Sequence, residues 1–543
     1  MLHLDGMADM QTTSGLFTAV VVSACLAVVV SCTASEPTAR APVAQVASQT
    51  EGVPPAARRI MNEPEYKTAR WLYYVADLQS GEVLLASRRN ELVFTASTAK
   101  LFTVGTALHE LGPDYRVTTP VYATGPVRDG VVDGDLALVA SGDLALGGRG
   151  AMNDRFNFTF TADAIDHVYG DVAPNAAMPR GNPLAGLDEL ARQVAAAGVT
   201  RVNGDVVIDQ RRWQPFDSQE GVVPSIFVND NLLDITVTPA AAGETATVVG
   251  SPRSEAFTTV SQVETVSGSD AAIEAAADPK DPRRIIVTGT IGAAADPRLT
   301  VYRIPDASAW ARTLFIEALG RAGVSVDANP VAAGPATPSS PYRRSQRLAS
   351  LTSPPLREFG KMILATSYNR GANALMCQLA VDAESTDCLD GLQSIRTLID
   401  EAGLVSDDVV LVDGQGADPA SVTPVQLVRW LRWTQDQSWA TPFNAGLPVL
   451  GESGSLASAG LDSPARGKIM AKTGTSARPD PATGRVLFNV QGLAGFMKTD
   501  DGRTLVFSLS MSGATYPDVL TGLVEANADV AGVAAAFQQV LAR

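Results

Sequence analysis

Three short segments carry side chains that could do chemistry together. They are Ser97 and Lys100 in "STAK", Ser367 and Asn369 in "SYN", and Lys472, Thr473, Gly474 and Thr475 in "KTGT". A serine hydroxyl is a weak nucleophile until a nearby base takes its proton. Histidine, the usual base, is scarce, with only His3, His109 and His167 in the chain. A lysine can replace it if burial or a second ammonium brings its pKa toward neutrality. Lys100 is suited to this, because residues three apart on a helix share a face and "FTASTAKLFT" is otherwise fit for burial. Lys472 could supply the second positive charge. A helix starting at Ser97 would also turn backbone N–H groups toward a developing oxyanion. Ser97 is the only serine three places before a lysine, "SYN" the only Ser-x-Asn, and Lys472 begins the only Lys-Thr-Gly.

The elements that must position these residues can be read from pattern. "RWLYYVADLQSGEVLLASRRN", residues 70–90, holds two β-prone runs around Ser80-Gly81 and reads as a hairpin. From Ser97 the chain has helical spacing at Leu101, Val104 and Leu108, ended by Gly112-Pro113. Between about 115 and 345 short strands such as "GDLALVA", "VNGDVVID" and "RRIIVTGTI" alternate with two helical patterns, "LDELARQVAAAGV" and "ASAWARTLFIEALGRAGV". Helical patterns return with "PPLREFGKMILATSYNRGANALMCQLAVD". "GKIMAKTGT", "RVLFNVQGLAGFMKT" and "RTLVFSLSMS" then read as three strands, the last two joined at Asp501-Gly502. Residues 520–541 read as a core-facing helix through Leu523, Val530, Val533, Phe537 and Val540.

A chain of 543 residues with 45% hydrophobic and 18% charged residues is globular with a substantial core. The net charge of −16, with no basic patch, argues against a nucleic-acid partner. The few histidines argue against a metal centre, and no cofactor is expected. "GLFTAVVVSACLAVVVSC", residues 15–32, has the length of a signal-peptide core. Its end, "VVSC", resembles the bacterial lipoprotein cleavage box, which would make Cys32 the lipidated residue and the lipid the one link to a membrane. Ordinary cleavage nearby and an uncleaved anchor are the alternatives. Residues 33–57, rich in Ala, Pro, Ser and Thr, read as a flexible tether. Of the four cysteines, loss of Cys25 with the signal and acylation of Cys32 leave Cys377 and Cys388. That pair could bridge a short helix–loop segment or remain two buried thiols.

The three motifs, in this order, resemble those of the penicillin-recognising serine acyltransferases. The long interval from Ser97 to Ser367 is similar to that of the class C low-molecular-mass penicillin-binding proteins, the D-alanyl-D-alanine carboxypeptidase/endopeptidase family. "VNGDVVIDQRRW", "FVNDNLLDITVTP" and "DGQGAD" also look like segments of that family. The resemblance runs from about 65 to 515. It implies an α+β fold: a transpeptidase-like domain with a five-stranded antiparallel sheet and helices on both faces, assembled from 58–145 and 346–543. Residues 146–345 would form inserted β-rich subdomains. It implies an exported enzyme that trims peptidoglycan stem peptides and is acylated by β-lactam antibiotics. Ser97 would be the nucleophile, Lys100 its base, and Ser367 the proton relay to the leaving amine, with Lys472 as electrostatic partner. Asn369 would bind a substrate amide, and Lys472, Thr473 and Thr475 the terminal carboxylate. Gly474 would allow close approach of the substrate, and the backbone N–H groups of Ser97 and Thr475 would form the oxyanion hole.

This chain departs from the family pattern at Gln415, where serine is usual, at Asn373, where an acid is common, and at 147–183, which has no clear counterpart. Asp413 reads as a structural cap near the site, His109 as an ordinary helix residue, and His167 has no assigned role. Ser367 and Asn369 could also serve simply as a helix cap and turn. The competing functions are a serine β-lactamase or esterase with the same apparatus, and a non-catalytic wall-binding protein.

Overall fold

The computed structural model describes residues 52–541 apart from 147 and 340, all within one compact unit, Thr50–Arg543. The apolar run 15–32, its Cys32 and most of the tether lie outside the described residues. The last residues of the expected tether are not extended chain. They open a helix, α1 (Pro55–Met61), with Pro in its first turn and with Ala57 and Met61 buried. Its Ala/Pro content looks like a linker, but proline is well tolerated at a helix start.

The central sheet contains β1 (Arg70–Asp77), β2 (Val83–Ser87), β3 (Ile469–Pro479), β4 (Val486–Lys498) and β5 (Thr504–Ser512). They run in the order β2-β1-β5-β4-β3, and a sixth short strand, Ala514–Tyr516, pairs with β4. Every pairing is antiparallel. The two hairpins expected from sequence turn at Gly81 and Gly502, both at positive φ, where a residue without Cβ is at ease. The β3 strand forms one edge of the sheet and carries the KTGT segment.

Strand alternation divides the core. Trp71, Tyr73 and Val75 of β1, with Phe507, Leu509 and Met511 of β5, pack against Val530, Val533 and Phe537. The last three belong to a C-terminal helix, Val519–Leu541. That helix is long and apolar enough to cross a membrane, yet its Ala526, Val530, Ala534 and Phe537 are buried against the sheet. On the other face Ala494, Phe496 and Val506 meet a helical layer. This layer includes α2 (Lys100–Glu110), α3 (Leu356–Thr366) and α4 (Asn369–Asp382). The C-terminal helix is α5 below.

Between the first and second motifs the chain leaves through Thr118–Ala123 and returns through Arg347–Thr352, which pair antiparallel. Leu136–Val139 and Val206–Asp209 complete that sheet. The helices Ala185–Ala196 and Ala307–Arg321 correspond to the two helical patterns. Trp310, Leu314 and Leu190 join the sheet residues Val121, Leu136 and Val206 in one core. Two three-stranded sheets lie beyond it, Thr247–Ser251/Leu232–Thr238/Arg298–Arg303 and Thr258–Val266/Asp281–Gly292/Ala271–Asp278. Leu144, Phe156, Val168 and Trp213 from this interval pack with Phe102, Ile363 and Leu375 beneath the candidate site. Cys377 and Cys388 form a disulfide from α4 to the turn that follows it.

Candidate active site

Ser97 lies in a 3-10 turn, Ala96–Ala99, and the α-helix begins only at Lys100. This corrects the expected start at Ser97. The cause is Ala96, held at φ 41, so that a bend precedes the helix. Ser97 is half-buried and open to a cleft, whereas Lys100 is 0% exposed. The Lys100 Nζ is 2.6 Å from Ser97 Oγ, 2.6 Å from Asn369 Oδ1 and 3.2 Å from the Gln415 carbonyl. Burial pulls the Lys100 pKa from 10.5 down to about 7, while the Glu220 and Asp413 carboxylates pull the other way.

The second motif sits at the junction of α3 and α4. Ser367 caps α3 in the left-handed conformation, φ 62 and ψ 34, and Asn369 opens α4. The cap-and-turn reading and the functional one thus describe the same two residues. Asn369 accepts from Lys100 through Oδ1 and donates through Nδ2 to Glu220 Oε1 at 2.5 Å. Glu220 occupies the turn of a small hairpin, Phe216–Ser218 with Gly221–Val223.

Alternation on β3 separates the third motif into two faces. Lys472, 0% exposed, donates to Ser367 Oγ and to the Thr473 carbonyl, both at 2.9 Å. Burial first, and repulsion from Lys100 second, hold its pKa well below the ordinary lysine value. At Gly474 an added Cβ would lie 2.6 Å from the Thr95 carbonyl, so glycine lets the Ser97 turn pack against the strand. Thr473 Oγ1 is 2.6 Å from Ser455 Oγ. Thr475 donates to Gln491 Oε1 at 2.7 Å, and Gln491 continues to Asn527 of α5.

Asp413 takes the N–H groups of Gln415, Gly416 and Ala417 on one carboxylate oxygen, and so shapes the turn whose carbonyl meets Lys100. The Gln415 side-chain oxygen is buried without a hydrogen-bond partner among the described residues. Asn373 accepts from the Gly414 N–H, which fixes the same turn. His109 accepts from Trp439 Nε1 within the helical layer. A cleft of about 150 Å³ joins Ser97, Asn369, Gln415, Thr475 and Gln219. Ser97, Lys100, Ser367, Asn369 and Lys472, expected from sequence alone, therefore lie in two hydrogen-bonded groups, Ser97–Lys100–Asn369 and Ser367–Lys472, whose two amines are close enough to repel each other.

The family model described as D-Ala-D-Ala carboxypeptidase 3 (S13) matches residues 56–531. The chain belongs to that family. Two relatives agree with it in extent. A D-alanyl-D-alanine carboxypeptidase of Actinomadura sp. (strain R39) is 28% identical over 486 residues, covering 84% of this chain and 80% of that protein. The D-alanyl-D-alanine carboxypeptidase DacB of Haemophilus influenzae is 20% identical over 470 residues, covering 82% and 86%. Among solved structures, penicillin binding protein 4 (dacB) from Haemophilus influenzae superposes with a TM-score of 0.62 at 18% identity. It covers 89% of this S13 chain and 97% of that one. The fold is thus that of the penicillin-binding carboxypeptidases, α+β with a long insertion between the first two motifs.

Sequence reasoning missed Glu220, Ser455, Gln491 and Tyr169, whose phenol donates to the Ser367 carbonyl at 2.9 Å. It also missed a buried ionic cluster. Arg149 contacts Asp166 at 2.8 Å and Asp230 at 2.9 Å, and His167 bridges Asp230 at 2.9 Å and Asp234 at 2.8 Å. Asp230 and Asp234 stand in the family-like "FVNDNLLDITVTP", but no spacing links them to Arg149, Asp166 and His167. Only the excess length of 147–183 marked the segment as special.

Proposed function

We propose that this chain is a serine-type D-alanyl-D-alanine carboxypeptidase that works through a Ser97 acyl-enzyme and is captured covalently by β-lactams. The observation that carries the reading is the Lys100 amine, fully buried, 2.6 Å from the Ser97 hydroxyl and with its pKa near 7. A neutral amine has two hydrogens, enough for Asn369 and the Gln415 carbonyl, and its lone pair is then free to accept the Ser97 proton.

Ser97 Oγ attacks the carbonyl carbon of the penultimate D-alanine as Lys100 takes its proton. The oxyanion gathers at the backbone N–H groups of Ser97 and Thr475. As the C–N bond breaks, Ser367 gives its proton to the leaving amine and takes one from the Lys472 Nζ it already contacts. The two amines together gain one proton from Ser97 and lose one to the departing D-alanine. Asn369 engages a substrate amide. Lys472 and the paired Thr473 and Ser455 hydroxyls attract the terminal carboxylate, and Thr475 can join them by leaving Gln491. Water then hydrolyses the ester. The same steps would open a D,D cross-link.

The substrates on this reading are peptidoglycan stem peptides, which places the enzyme outside the cytoplasmic membrane. The apolar run 15–32 supports export, with Cys32 as the candidate lipid site. The interval from 146 to 345 is read as inserted subdomains that flank the cleft. The test is labelling with a fluorescent penicillin, alongside D-alanine release from a D-Ala-D-Ala peptide. Wild type should label and release D-alanine, and Ser97→Ala should do neither. A Ser97→Ala protein that still labels refutes the assignment. Penicillin turnover faster than peptide turnover would favour a β-lactamase.

A further inference from the structure

The segment from 148 to 183 grips both sides of the cleft. Its Phe160 carbonyl accepts the Gly454 N–H at 2.9 Å, next to Ser455. Its Tyr169 phenol donates to the Ser367 carbonyl at 2.9 Å. Ser367 is not glycine, yet it stands in the left-handed region that a Cβ disfavours. That conformation sends its carbonyl to Tyr169 and its Oγ to Lys472.

Tyr169 itself is tightly placed. It closes the 3-10 turn His167–Tyr169, whose cap, Asp166, accepts from the Val168 N–H. Asp166 is held at both oxygens by Arg149. Both ring nitrogens of His167 are held, Nδ1 by Asp234 and Nε2 by Asp230. Arg303 donates to the Val168 carbonyl at 3.0 Å. The turn has little freedom left, so the phenol oxygen is a fixed point.

We propose that Tyr169 is a positioning residue for proton delivery. Its phenol holds the Ser367 carbonyl, and with it the turn that aims Ser367 Oγ at the Lys472 amine. The Arg149–Asp166–His167–Asp230–Asp234 cluster is the anchor that keeps the phenol in place. The inference rests on the proposed relay role of Ser367. It gives the segment 148–183 a part in the reaction rather than in packing alone.

An amide needs a proton on its nitrogen as the C–N bond breaks, whereas a thioester leaves as a thiolate and needs none. The experiment therefore compares kcat/KM of wild type and Tyr169→Phe on an acyl-D-Ala-D-Ala peptide and on an acyl-D-alanyl thioester. Rates are normalised to the fraction of protein that long exposure to penicillin labels, so a misfolded fraction does not count. The expected result is a loss of at least about 10-fold on the amide and less than about 2-fold on the thioester. Equal losses on both substrates, or no loss on either, would overturn the positioning role. A wild type inert toward the amide would instead overturn the proposed function, and this inference with it.

Discussion

Two groups of buried cations reach the turn at Ser367, and the fold treats them differently. Around Arg149 and His167 every cation meets carboxylates, from Asp166, Asp230 and Asp234. Burial alone would lower the His167 pKa, but Asp234 and Asp230 outweigh it and carry it up to about 9. Burial would likewise raise Asp230, yet Arg149 and His167 hold it at about 2. Around Lys100 and Lys472 the contacting atoms are hydroxyl, amide and carbonyl oxygens. Among the described residues neither lysine forms an ion pair. Burial then prevails and both pKa values fall. What burial does to a cation is decided by whether its partner carries a full opposite charge. The paired group keeps its charge and fixes a segment. An unpaired lysine gives up a proton easily, which lets Lys100 serve as a base and Lys472 supply a proton to Ser367.

The largest expected effect comes from deleting the unpaired base. Lys100→Ala should slow covalent penicillin labelling by roughly 10³-fold or more, measured as the rate of fluorescent adduct formation. Removing a member of the paired group should act on stability instead. Arg149→Ala leaves Asp166 and Asp230 buried without their guanidinium and should cost about 3–5 kcal/mol in chemical denaturation. A third variant would make the first group resemble the second. Asn369→Asp, combined with Glu220→Gln to remove the neighbouring acid, sets a carboxylate against Lys100. The acid limb of labelling should then move up from about 7 by at least about one pH unit. An unmoved limb would break the comparison.

The smallest effect separates the groups by the sign of their pH dependence. The His167 pKa is raised from 6.5 to about 9, so its stabilisation is full below 6.5 and is lost as pH rises through 9. The Lys100 pKa is lowered, so the folded state is penalised at low pH and gains stability as pH rises from about 7 to 10.5. His167→Gln should lower stability near neutrality and flatten its decline between pH 6.5 and 9, as read from denaturation midpoints across that range.

The two groups also differ in how far the sequence disclosed them. Ser97, Lys100, Ser367, Asn369 and Lys472 lie in contiguous triplets and quartets, because a helix turn or a strand edge places neighbours in sequence side by side in space. The sheet was legible for a similar reason: β-prone runs ended in glycine turns at Gly81 and Gly502. The start of α2 was misjudged by three residues, since nothing in "TASTAK" reveals the positive φ at Ala96. Arg149 is distant in the chain from Asp230 and Asp234, and the family-like segment around the two aspartates does not name their partners. Their meeting depends on the packing of the whole insertion. Glu220 and Tyr169 were hidden in the same way, one on a hairpin tip and the other in a segment with no recognisable motif. The partner of Thr475 required the register of β3 on β4, which places it opposite Gln491, and that of Thr473 required the fold of the chain at Ser455.

The central claim is that Lys100 loses its charge near neutral pH because it is buried with no ion-pair partner among the described residues. The pH dependence of the second-order rate of penicillin labelling at Ser97 tests this most directly. The rate should fall about tenfold per pH unit below a midpoint near 7 and level off above it. A rate that is flat from about pH 5 to pH 9, or that keeps rising toward the ordinary lysine value, would contradict the account.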